Sequence, residues 1–218
     1  MFAMPDPAVI VPLLFVIGVL PILLVMLTCY TKIVVVLALL KSAMGLQQVP
    51  PAMVTNGLAL VLTWYVMYPV GQQIMASMDA EPQNPRAVAR LTVPDMVGHA
   101  KEPMRNFLDR HARANERAFF MDGARRLMGE KVAQGIGPKD FVVLVPAFVV
   151  SELTAAFLIG VLIALPLIVI DLVVANVLMA LGMQMMSPTM ISLPLKLLLF
   201  VMVDGWSRLT HALVLTYQ

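Results

Sequence analysis

The chain is poor in the residues that most enzymes work with. It has one cysteine, Cys29, and three scattered histidines, His99, His111 and His211, in 218 residues. One cysteine excludes an intrachain disulfide and any multi-cysteine metal site. Cys29 lies inside an apolar run, where a free thiol packs as a small hydrophobe. The preceding Met26-Leu27-Thr28 lacks the small residues of a lipid-anchor cleavage site. There is no G-x-S-x-G, no P-loop, no H-E-x-x-H and no Cys/His cluster. No catalytic residue, metal or cofactor is therefore expected. Charge is scarce as well, at 13% of residues with a net of +2, and it is not clustered by sign. That excludes a nucleic-acid partner. No internal repeat stands out, which weighs against repeat-built transporters.

Apolar residues fill the space, at 60% of the chain with a mean hydropathy of +0.88. Soluble domains sit near roughly 45–50%, so the chain belongs in a membrane. Of 28 charged residues, 20 lie between Asp79 and Asp140. The expected organisation is an apolar front over 8–78, a polar, mostly helical part over 79–140, and an apolar back over 141–218. The stretch Phe141 to Trp206 is 66 residues with four charges, Glu152, Asp171, Lys196 and Asp204. That exceeds two bilayer crossings at about 20 residues each. The fold class is all-α, a polytopic membrane-associated protein with kinked helical hairpins and a small helical polar domain.

The uncharged run Pro7–Thr31 is too long for a signal-peptide core and no A-x-A site follows it, so it reads as a retained helix. The front holds two segments, about Val9–Leu40 and Pro51–Met78, joined by a turn at Gly45–Pro51. Lys32 and Lys41 flank that turn and predict that it faces the cytoplasm, with the polar part opposite. In the middle, Thr92-Val93-Pro94-Asp95 and Pro103 read as helix starts. Arg105–Asp109 and Asp109–Arg113 have i,i+4 pairing distance. Arg105, Arg110, Arg113 and Arg117 are either an ordinary solvated face or an acidic-partner surface, and His99 and His111 read as surface histidines. In the back, Pro146, Gly160 and Pro166 are expected to interrupt one helix, and a last helix runs from about Pro194 to Leu215.

Three groups of residues are candidates for function. Asp204 and Arg208 are four apart and can pair along a helix. Glu152, Asp171 and Lys196 have no such partner and must meet each other, another subunit or water; the readings are buried ion pairs, subunit contacts or an ion path. Ala156, Gly160 and Ala164 form a small-residue seam for close helix packing, within the chain or between copies. Met183, Gln184, Met185 and Met186 lie in a turn-like break, either as a packed turn or as an adaptable, dewetting constriction. Four or so helices cannot by themselves surround a polypeptide, so a protein channel would need several copies.

Several stretches resemble the SctR/FliP family, export-gate membrane proteins of type III secretion injectisomes and flagella. They are Pro146-Ala147-Phe148-Val149-Val150-Ser151-Glu152-Leu153, Leu165-Pro166-Leu167-Ile168-Val169-Ile170-Asp171-Leu172-Val173, and Ala180-Leu181-Gly182-Met183. Ser192-Leu193-Pro194-Leu195-Lys196 with Val203-Asp204-Gly205-Trp206 agrees too, as do Thr31-Lys32-Ile33, Gly45–Pro51 and Met67-Tyr68-Pro69-Val70-Gly71. Ser187-Pro188 and the short N-terminus look more like the injectisome branch. The resemblance implies a pentamer joined to SctS-like and SctT-like proteins and other secretion-machine components in the bacterial inner membrane. Unfolded proteins would pass through its centre, and Met183, Met185 and Met186 would form its gasket. Gln184 stands where relatives often have a third consecutive Met, and Leu158 where they often have a polar residue. An independent small-ion channel or transporter using Glu152, Asp171 and Lys196 is the alternative.

Overall fold

The computed structural model describes residues 18–19, 21–23, 25–46, 49–79, 93–129, 135–183 and 185–218. Their long helices are α1 (Tyr30–Ala43), α2 (Ala52–Asp79), α3 (Val93–His111), α4 (Ala114–Met128), α5 (Phe141–Ala180), α6 (Thr189–Met202) and α7 (Gly205–Leu215). No strand occurs among the described residues. The protein is all-α. Most of the retained-helix expectation for Pro7–Thr31, the Thr92 cap and Gln184 lie outside the described residues.

Among the described residues, two helices are long and apolar enough to cross a membrane, Ala52–Met78 of α2 and all of α5. Two bent pairs reach that length together: Pro21–Leu27 with α1, at 80°, and α6 with α7, at 63°. These apolar helices make the chain a membrane-inserted protein. At 40 residues, α5 is about 60 Å long, roughly twice the hydrocarbon thickness.

The prolines do not break the helices as the sequence suggests. Pro146 and Pro166 both lie inside the unbroken α5, and Pro103 lies inside α3 and does not start it. A proline removes one N–H, and packing of the neighbouring turns can hold the helix through that loss. The last helix bends elsewhere. Between α6 and α7, Asp204 adopts the left-handed region at φ 53°. A Cβ on Gly205 would lie 2.3 Å from the Phe200 ring. Only a glycine lets that ring close over the bend.

Helix ends follow their glycines. After α1, the Gly45 N–H bonds Ser42 O at 3.0 Å and Leu46 N–H bonds Lys41 O at 3.1 Å. After α5, Gly182 N–H bonds Met179 O and Met183 N–H bonds Leu178 O, both at 3.0 Å. Gly45 (φ 78°) and Gly182 (φ 73°) supply the left-handed residue these caps need.

One core forms around α1 and the first half of α5. Cys29, Ile33, Val36, Leu37, Leu40, Leu144, Ala147 and Phe148 are buried in it. Phe107 and Leu108 of α3, and Ala112 just after it, join the same cluster. The polar helices therefore share the core of the apolar ones. Ser151 ties them down: its Oγ accepts from Arg113 N–H at 2.9 Å and donates to Ala147 O at 2.6 Å.

Candidate functional site

Glu152 is 2% exposed and Lys32 4%. Their charges meet at 2.9 Å, α5 to α1. Tyr217, just past α7, donates its hydroxyl to the second Glu152 oxygen. Its ring also covers the Lys32 ammonium, with Nζ 4.0 Å from the centroid. Phe107 and His111 pack on that ring at 6.4 and 5.1 Å between centroids. A buried ion pair survives only when its remaining bonds are supplied, and here a phenol and a π-face supply them. Lys32, read above as a topology marker, is instead a core residue. Only Lys41, which donates to Pro50 O at 2.8 Å, remains as a flanking charge at the turn.

A second pair lies near the other end of α5. Lys196 of α6 donates to Asp171 Oδ2 at 2.6 Å and to Ala43 O at 3.1 Å. The Lys196 side chain is buried, whereas that of Asp171 is 40% exposed. The pair sits in a cleft of about 690 Å³ that also touches Gly45, Gly160, Ala164 and Ser192. Glu152 and Asp171 are 19 residues apart on α5, about 28 Å at helical rise, so the two pairs are separate.

The small-residue seam faces α1. Ala156 is buried, and a Cβ on Gly160 would fall 2.3 Å from Leu39 Cδ1 and 2.9 Å from Leu39 Cβ. Ala164, one turn further on, is half-buried.

The expected Asp204–Arg208 ion pair is not formed. Both residues are exposed, and the contact between them is a backbone bond, Arg208 N–H to Asp204 O at 3.1 Å. Asp204 is the residue before α7 and its left-handed backbone takes its side chain off the i,i+4 ladder. Nor do the expected i,i+4 pairs form in α3. Asp109 is held by Arg117 of α4 and by Lys139, the latter at 3.0 Å, while Arg105 pairs with Glu102. The α3–α4 turn brings Arg117 closer than the residues of its own helix. His111 is half-buried, not a surface histidine. Burial, then Lys32 and Arg110, push its pKa down to about 4.

Between α5 and α6, Met183, Met185 and Met186 form an open concave turn with Gly182, Ser187 and Met190. Met185 is fully exposed and the other two are more than one-third exposed. The glycine cap of α5 turns the chain here, and the Ser187 and Thr189 hydroxyls bond at 2.7 Å where α6 begins. Among the described residues, no three His, Cys, Asp or Glu side chains gather as a metal site.

Sequence reasoning missed Lys32 and Tyr217. The only sequence signal for Lys32 was its isolation: a charge in an apolar helix needs a partner.

Residues 13–213 match the model of the FliP family. The chain is 45% identical over 218 residues to the Yop proteins translocation protein R of Yersinia pestis, covering 100% of this chain and 99% of that one. It is 46% identical over 202 residues to the hypersensitivity response secretion protein HrcR of Ralstonia nicotianae, covering 93% of each. It is 38% identical over 217 residues to the virulence protein YscR of Salmonella typhimurium, covering 99% of this chain and 100% of that one. The chain belongs to the FliP family.

Proposed function

We propose that this FliP-family protein is a subunit of the export gate of a type III secretion system in the bacterial inner membrane. Several copies, five by the family resemblance, assemble with SctS-like and SctT-like proteins and other components of the machine. Unfolded proteins in transit pass through the centre of that assembly. The subunit carries no catalysis and no cofactor; it closes and opens a passage. The polar part over 79–140 faces the periplasm.

The observation that carries the reading is the methionine turn. Met183, Met185 and Met186 are apolar side chains held out of this chain's own core by a rigid glycine cap. Unbranched thioethers conform to irregular surfaces, and a ring of them from several copies excludes ions by dewetting. Similarity to translocation and secretion proteins over nearly the whole chain supports the same reading. The test replaces Met183, Met185 and Met186 together with alanine in secreting cells. The complex is expected to assemble and the inner membrane to leak small ions. Unchanged conductance with an assembled complex removes the gasket role.

The alternative, an independent ion channel along Glu152, Asp171 and Lys196, draws no support from the geometry. Lys32 and Tyr217 close off Glu152, and Asp171 and Lys196 pair with each other. Conductance by the purified chain alone, in a planar bilayer, would restore that reading.

A further inference from the structure

The bend between α6 and α7 opens a groove that neither buried ion pair uses. It has a volume of about 380 Å³ and is bounded by Ile159, Ile163 and Pro166 of α5 and by Leu199 and Phe200 of α6, with Arg208 of α7 among its lining residues. Apart from that guanidinium, its side chains are apolar. Arg208 is exposed, and among the described residues no carboxylate pairs with it. Trp206 stands at the same bend, its ring edge-on to Phe200 at 5.5 Å.

We propose that this groove binds an anionic phospholipid, with one acyl chain between α5 and α6 and the phosphate on Arg208. Three observations converge on that occupant. An apolar channel in a membrane-inserted chain takes hydrocarbon without a desolvation cost. An arginine with no carboxylate partner among the described residues attracts anionic lipid wherever it reaches a headgroup, and a planar guanidinium suits phosphate oxygens. A tryptophan beside it is the side chain that favours the membrane–water interface. The Gly205 bend that lets Phe200 close one wall also brings Arg208 to the groove. The proposal does not depend on the export-gate reading.

The chain has two tryptophans, so Trp64→Phe leaves Trp206 as the only reporter. The full chain carrying W64F is placed in bilayers containing phosphatidylglycerol or phosphatidylcholine with brominated acyl chains, which quench indole fluorescence on contact. Brominated phosphatidylglycerol is expected to quench Trp206 at a mole fraction about fivefold lower than brominated phosphatidylcholine, the preference one cation gives near an anionic surface. Arg208→Gln should remove the preference. Ala212→Phe, which fills the groove and keeps the charge, should remove it too. Excess inorganic phosphate at matched ionic strength should leave it in place, since the acyl chain anchors the ligand. Equal quenching by the two lipids overturns the proposal, as does a preference that survives R208Q or A212F. Loss of the preference in inorganic phosphate would mean a simple anion site. A change of oligomeric state in A212F with unchanged lipid preference would mean that a second copy fills the groove. Either result also overturns it.

Discussion

From Phe141 to Gly160, α5 buries Val143, Leu144, Ala147, Phe148, Ser151, Glu152, Ala156 and Gly160; beyond Gly160 it buries Leu167, Val174 and Leu178. In the second half Leu165, Ile168, Val169, Leu172, Val173 and Val177 are all more than half exposed. Both halves are apolar, so composition does not explain the difference. Company does: Lys32 of α1, Phe107 of α3 and the Arg113 N–H all meet the first half, whereas Lys196 of α6 and the end of α1 meet the second half beside Asp171. The charges follow the same division. Glu152 is closed on all sides, whereas Asp171 remains partly open. The first half is a finished core, and the second offers its surface to lipid or to other proteins.

The largest effect that can break this comparison comes from the charges. Glu152→Ala strands the buried Lys32 ammonium and is expected to cost about 3–5 kcal/mol. The readout is the thermal midpoint of the purified chain in detergent. Asp171→Ala should cost less, on the order of 1–2 kcal/mol, because the aspartate is partly solvated and Lys196 keeps its bond to Ala43 O. Equal losses would mean that the two halves are not differently packed.

Next is the seam. Gly160→Val drives two methyl groups into Leu39 and should destabilise by about 1–3 kcal/mol. Val173→Ala, on the open half, should stay within about 0.5 kcal/mol for the isolated chain. If V173A unfolds the isolated chain, the second half is a core and not a contact surface.

The smallest expected effect is titration beside the closed cluster. His111 in the folded state has its pKa below the usual 6.5, at about 4. The unfolded chain therefore binds the proton first as pH falls. His111 contributes stability that is complete above pH 6.5 and declines as pH falls toward 4. Thermal midpoints at pH 7 and pH 5, for the wild type and His111→Gln, should differ in slope, with the variant flatter. Identical slopes would place His111 in water.

Much of this was legible along the chain. The apolar runs, the charge segregation and Gly45 and Gly182 as turn residues could be read directly, because a bilayer demands helices and a left-handed cap favours glycine. The partners of the buried charges were not. Glu152 meets a lysine 120 residues earlier and a tyrosine 65 residues later, and no helical spacing encodes either contact. The prolines misled for a related reason: local rules say a proline breaks a helix, but packing around α5 and α3 carries the helix through.

By itself the sequence determined the class of the protein, an all-α membrane chain whose few ionic groups must find partners, since the cost of an unpaired charge in hydrocarbon does not depend on the fold. Only the tertiary structure decided which charges meet, where the last helix bends and which face of α5 stays uncovered. Those outcomes depend on residues far apart in the chain arriving at the same place.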